Sequence, residues 1–194
     1  INDIGLIEMI LNTDISSIKD FNTKRNFILK VELDVNVIFS LDLIILNLKS
    51  KTKEDTLKEM VKLFIRSEKV KEEENFCQNL LYRESLGSTA IGQNIAIPEA
   101  PSDTGKDILV AVGISRDGVD FDSLDGQPTK IFFMVTWNNK IFGDQKAGPR
   151  LKLLANISRF LKDEKVRESL INANSEQEIL LFLRENFITA RAKI

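Results

Sequence analysis

The run Ile131–Trp137 (IFFMVTW) carries no charge and is rich in aromatic and β-branched side chains. It reads as a central strand, and a strand of that kind needs a sheet around it. Three other segments offer partners: Asp42–Leu48 (DLIILNL), a near-continuous apolar run buried on at least one face, the short Gln93–Pro98, and Lys106–Ser115. Helical periodicity fills the intervals. Leu57, Met60, Val61, Phe64 and Ile65 recur at spacings of three and four, with Thr52 placed to cap that helix. A second helix starts within Lys71–Glu74, has Phe76, Leu80 and Leu81 on its inner side, and ends near Arg83–Glu84 before Gly87. Beyond the loop 138–149, Leu151, Leu154, Ala155, Ser158 and Leu161 define one helix face, and Val166, Leu170 and Ile171 mark the next helix. Ser175–Glu178 is a capping box that opens the last helix, with Ile179, Leu180, Phe182 and Leu183 inside. Strands and helices interleave, which is the pattern of an α/β layered domain.

The N-terminal 39 residues are organised differently. Ile4, Ile7, Leu11 and Ile15 fit a short amphipathic helix, and Phe27–Val37 alternates apolar and polar residues as a half-buried strand does. Residues 1–39 read either as an N-terminal extension, its strand pairing with the main sheet's edge, or as the remnant of a neighbouring segment; the domain proper is 40–194. The sequence begins with Ile1, which leaves its true start open.

Composition narrows the chemistry. There is no histidine and one cysteine, Cys77, among 194 residues. Imidazole nucleophiles, imidazole acid–base chemistry and His/Cys metal sites are thereby set aside, and no cofactor is expected. Cys77 reads as a buried structural thiol in a reducing cytoplasm. A formal net charge of −2 gives no global field for nucleic acid, and no apolar run is long enough to insert in a membrane. Asp120, Asp122 and Asp125 lack the ligand register of a calcium loop and are better explained by turns, as are Arg116–Gly118 and Asp125–Gly126.

The stretch Leu80–Asp103 gathers the candidate functional residues. A helix end is followed by a Gly/Ser/Thr loop, a short apolar strand, Pro98 and then Glu99, at a point where the chain should leave the strand. Strand ends of this type hold reactive groups next to loops that admit a partner.

Four local patterns occur in order along residues 42–187: Arg83-Glu84; Ser88-Thr89-Ala90-Ile91-Gly92 followed by Asn94-Ile95-Ala96-Ile97-Pro98-Glu99; Gly118-Val119-Asp120-Phe121 with Leu124-Asp125-Gly126; and Arg150-Leu151-Lys152-Leu153-Leu154-Ala155. Together they resemble the type-2 IIA domain of the bacterial phosphoenolpyruvate-dependent sugar phosphotransferase system, the fructose, mannitol and nitrogen-regulatory class. The resemblance implies a mixed β-sheet flanked by helices on both faces, an α/β/α sandwich. It also implies a histidine after the proline that accepts a phosphoryl group from a phosphocarrier protein, and a second histidine opening the later helix. Glu99 and Arg150 hold those two positions here, while the family's arginine is present as Arg83. Glu84, Ser88 and Thr89 fall where the resemblance places phosphate-loop or partner-binding residues; the hydroxyls also fit ordinary turn roles.

A cytoplasmic regulatory or adaptor protein without phosphohistidine chemistry is therefore expected. It would act by protein contact on the phosphocarrier protein or on a regulated transporter, kinase or regulator. The alternative is a working phosphotransfer component for sugar uptake with Glu99 as a carboxylate acceptor. Attack by a carboxylate on an anionic donor demands Mg²⁺ or strong cationic screening, which disfavours it. A third arrangement is a IIA-like module inside a larger regulator. Charge compensation further predicts an ion pair between Glu99 and Arg150.

Overall fold

A computed structural model describes residues 38–105, 108–142 and 147–189. The helix and strand expected within residues 1–37 lie outside them. A 3₁₀ turn, Leu41–Leu43, leads into β1 (Ile44–Ile45), α1 (Lys53–Arg66), α2 (Glu73–Ser85), β2 (Ala90–Gly92), β3 (Ile95–Ala96), β4 (Glu99–Ser102), β5 (Leu109–Val119) and β6 (Thr129–Asn138). The short α3 (Asn139–Phe142) then precedes α4 (Ala147–Leu161), α5 (Glu164–Asn172) and α6 (Glu176–Thr189). The sheet order is β1-β5-β6-β3-β2, with β4 also on β6. β5–β6 and β2–β3 are antiparallel; β1–β5, β3–β6 and β4–β6 are parallel.

Strand parity builds the two cores. Along β6, Ile131, Phe133 and Val135 join Val110, Val112 and Ile114 of β5 on the side covered by α4, α5 and α6. Phe132 and Met134 join Leu109 and Ala111 on the opposite side, under α1 and α2. Because both faces of β6 are covered, its sequence is a continuous apolar run and not an alternation. The sheet is thus mixed and flanked by helices on both faces, as expected. Phe39 belongs to the α4–α6 layer: its ring is fully buried, edge-on to Phe133 and Phe187.

Helix ends follow their caps. Thr52 Oγ1 accepts the Asp55 N–H at the start of α1 (3.2 Å), and Ser175 Oγ accepts the Glu178 N–H before α6 (3.2 Å). The Glu178 carboxylate reaches back to the N–H of Asn174, one residue beyond the usual capping-box target.

Four expectations need correction, the first being the loop 138–149, which carries the short helix α3 and the first three residues of α4. The segment Asp42–Leu48 forms only a two-residue ladder, because Leu46 N–H donates to the Glu176 carboxylate of α6 and not to another strand. Arg116–Gly118 is not a free turn: it lies within β5, where the register with β6 shifts between Ile114 and Val119. The inner face of α4 is Leu153, Ile157, Phe160 and Leu161, while Leu151 is exposed. Ile157 and Phe160 bury more apolar surface than Ala155 and Ser158, so they determine the rotation of the helix.

The β2–β3 hairpin closes with Gln93 (φ 56°) and Asn94 (φ 65°), the pair of left-handed residues of a type I′ turn. Asp125 ties this hairpin to the loop before β6. It accepts the Gln93 N–H (2.7 Å), the Gln127 N–H (3.1 Å) and the Ser123 hydroxyl (2.8 Å). The Gln93 N–H, followed by the Gln127 N–H and the Ser123 hydroxyl, holds the Asp125 carboxyl below its ordinary range. A depressed carboxylate contributes stability above its unfolded pKa and loses it as pH falls through the folded value. Wild type should therefore exceed Asp125→Asn in stability at neutral pH, with the gap narrowing as pH drops below about 4. Urea unfolding at a series of pH values measures this, and a pH-independent gap would contradict it.

Candidate functional site

Glu99 opens a strand, where the sequence placed it at a strand's exit. β3 and β4 run in one line along β6, with Ile95 opposite Ile131 and Glu99 opposite Val135. Pro98, which has no N–H, interrupts the ladder between them, while its carbonyl still accepts Val135 N–H (2.8 Å). Glu99 is thereby fixed by backbone pairing immediately after the break. Its side chain is 17% exposed. Oε1 lies 3.5 Å from Arg83 Nε, and Oε2 is buried with no hydrogen-bond donor.

Arg83 comes from the last turn of α2 and is half-exposed. Besides meeting Glu99, its Nη1 donates to the Gly87 carbonyl (3.0 Å), bracing the helix end. Its neighbour Glu84 faces inward and is nearly fully buried. The Glu84 carboxylate accepts the Thr89 hydroxyl and, at 3.2 Å, the Thr89 N–H; Lys53 Nζ lies 3.5 Å away. Ser88 Oγ donates to the Phe121 carbonyl (2.8 Å) and accepts the Ala90 N–H (3.2 Å). Both hydroxyls thus close the loop between α2 and β2.

The expected Glu99–Arg150 ion pair is not formed. Arg150, near the start of α4, lays its guanidinium over the indole of Trp137, 4.3 Å from the ring centroid. This is a cation–π contact between an arginine and the best aromatic acceptor. Its Nε is buried and makes no hydrogen bond. Trp137 is itself buried and donates through Nε1 to Asn139 Oδ1 (3.2 Å). By register, Glu99 sits beside Val135, two residues along β6 from Trp137. The two charges that the sequence paired are therefore claimed by different partners, Arg83 and Trp137. The sequence reading took Trp137 only as the end of a central strand and missed the stack. The available signal was an arginine opening a helix after the strand that ends in the chain's single tryptophan.

The three aspartates have local explanations. Asp122 pairs with Lys53 (2.8 Å), Asp120 accepts the Asp122 N–H (3.4 Å), and Asp125 holds the hairpin. Cys77 is half-buried beside the α1–α2 core, and burial pushes its thiol pKa up, away from reactivity at neutral pH.

Residues 37–186 match the family model for the phosphoenolpyruvate-dependent sugar phosphotransferase system, EIIA 2. The chain belongs to this family. Among its relatives is the fructose-specific EIIABC component of Bacillus subtilis, 35% identical over 141 residues; the match covers 73% of this chain and 21% of that longer protein. The fructose-specific EIIA component of Haloferax volcanii is 32% identical over 152 residues, covering 78% of this chain and 96% of that one. The crystal structure of the nitrogen regulatory protein IIA-Ntr from Neisseria meningitidis superposes with a TM-score of 0.68 at 28% identity, over 76% of this chain and 97% of that one. The Escherichia coli mannitol IIA enzyme, solved in complex with phosphorylated mannitol IIB, shares the fold, with a TM-score of 0.59 at 22% identity over 76% of this chain and 97% of that one. Relatives thus include both sugar-specific and nitrogen-regulatory EIIA proteins. Among the described residues, no helix is long and apolar enough to cross a membrane.

Proposed function

We propose that this EIIA domain is a regulatory or adaptor member of the family, acting by protein contact with its phosphohistidine chemistry lost. Glu99 stands where the family's phosphoryl-accepting histidine stands, and Arg150 where the second histidine stands. The observation that carries this reading is the state of the Glu99 carboxylate. One oxygen faces Arg83 and the other is buried, while Arg150 is drawn onto Trp137. A carboxylate nucleophile approaching an anionic phosphoryl donor needs concentrated positive charge, and here a single guanidinium serves it. No histidine exists anywhere in the chain to take over the role.

Instead, Glu99 supplies a permanent negative charge on Arg83 where relatives would carry a removable phosphate. The imitation is partial, since a phosphate brings up to about two charges and three acceptor oxygens. Exposed apolar side chains occur on the segments that lead to and from Arg83: Tyr82 precedes it on α2, Leu86 follows the end of that helix, and Ile91 of β2 adjoins Ala90, whose carbonyl accepts the N–H of the exposed Leu124. Such a grouping suits a protein surface. Its partner would be the phosphocarrier protein, a IIB-type domain, or a transporter, kinase or regulator under its control.

The second reading, a carboxylate phosphocarrier for sugar uptake, draws support from the same Arg83–Glu99 pair and from the fructose-specific relatives. The two part on one experiment: exposure to phosphoenolpyruvate, enzyme I and phosphocarrier protein should leave the intact mass unchanged. A phosphoryl gain that is lost in Glu99→Gln would establish the second reading.

A further inference from the structure

We propose that Lys53, the first residue of α1, is a positioning residue for the Arg83–Glu99 pair and acts through the buried carboxylate of Glu84. This rests on the reading of that pair as the working site.

Lys53 occupies an unusual place. A cation at a helix N-terminus opposes the helix dipole, so a lysine there needs compensation. Its Nζ lies 2.8 Å from Asp122, 3.5 Å from Glu84 and 5.0 Å from the centre of the Phe121 ring. Asp122 is largely exposed, whereas the Glu84 side chain is only 4% exposed. Lys53 is the one cation within ion-pair distance of Glu84 among the described residues. A buried carboxylate that loses its cation is costly to keep in place.

The consequence passes along a short chain of named contacts. Glu84 holds the hydroxyl and N–H of Thr89. Ser88, next to Thr89, is pinned to Phe121, whose ring is the one beneath Lys53. Gly87, next again, presents the carbonyl that anchors Arg83 Nη1. Arg83 directs its Nε from that anchor toward Glu99. The first residue of α1, the last turn of α2 and the loop around Phe121 are thus joined into one support. Hydrogen-bonded networks of this type act as units, so removing one member loosens the others.

The test is the exchange of the Arg83 Nε–H with solvent, followed by NMR in the full chain, the resonance being assigned by its loss in Arg83→Lys. In Lys53→Met the exchange should quicken by about tenfold or more, and Lys53→Arg should restore it. Leu170→Ala, which empties a fully buried position in the opposite helix layer, should leave it unchanged; general destabilisation is thereby separated from positioning. If Lys53→Met does not fold, Thr89→Val decides, because cutting the grip of Glu84 on Thr89 must loosen Arg83 in the same way. Unaltered exchange in Lys53→Met, or in Thr89→Val where that variant decides, would overturn the proposal, as would equal quickening in Leu170→Ala. The readout needs no partner: phosphorylation of Glu99 would sink the functional reading alone, and an unmoved Arg83 would sink this proposal alone.

Discussion

Phe133→Ala is expected to lower the unfolding free energy by about 3–5 kcal/mol, the range for emptying a buried phenylalanine site. Phe133 is fully buried in the middle of β6, opposite Val112 of β5. Its ring meets Phe39 edge-on with centroids 6.2 Å apart, and Phe39 in turn meets Phe187 of α6, which meets Phe160 of α4. Alanine at 133 would leave a cavity under this aromatic chain, and the sheet cannot collapse into it because β6 is paired on both sides. Against a typical total of about 5–15 kcal/mol, the loss would leave the domain marginal. Urea titration should show a lower midpoint with an unchanged slope. A loss under about 1 kcal/mol would mean that the layers repack freely around β6, contrary to the close packing of protein interiors.

Gly118→Ala is the second large effect. Gly118 has φ +83°, a conformation that costs a residue with a Cβ about 1–2 kcal/mol. A Cβ built there would also lie 2.6 Å from Cβ of Pro128, a ring that cannot swing aside. Strain of this kind adds about 1–3 kcal/mol, so the combined loss should be about 2–5 kcal/mol. The damage is local in origin: it falls where the β5–β6 register shifts, next to the Val119–Thr129 pair and the loop that carries Phe121 and Asp122. Thermal unfolding of the variant measures it. A melting temperature within a degree or two of wild type would show that the register shift is not rigid.

These two positions also show what the sequence could reveal. Phe133 was legible: an uncharged run with aromatic and branched residues has one stable home, a doubly covered central strand, and the periodicity of α1 and α2 named the helices that cover one side. Gly118 was half-legible. Arg-Asp-Gly reads as a turn, but only the pairing of Val119 with Thr129 shows that the strand resumes beyond it. The α4 face was misread because several apolar residues compete along that helix, and the winner depends on what the sheet offers opposite.

At the candidate site, the sequence singled out residues that the fold does bring together, but not how they pair. Arg83, Glu84 and Glu99 do converge near the α2 end, but Arg150 does not join them. Charge compensation between Glu99 and Arg150 is a sound argument only when neither charge has a better partner. Trp137, thirteen residues before Arg150, and Arg83, sixteen before Glu99, supply those partners. Whether a charge finds a stack or an ion pair is decided by the fold, which brings together segments whose spacing in the chain carries no such information.

The central claim is that the Arg83–Glu99 pair is a fixed charge and not a phosphoryl acceptor. Its most direct test is intact mass after incubation with phosphoenolpyruvate, enzyme I and phosphocarrier protein at neutral pH, alongside a histidine-bearing EIIA relative as control. The account predicts that the relative gains one phosphoryl group and this chain gains none. A gain of one phosphoryl group by this chain, abolished in Glu99→Gln, would contradict it and make the domain a carboxylate phosphocarrier.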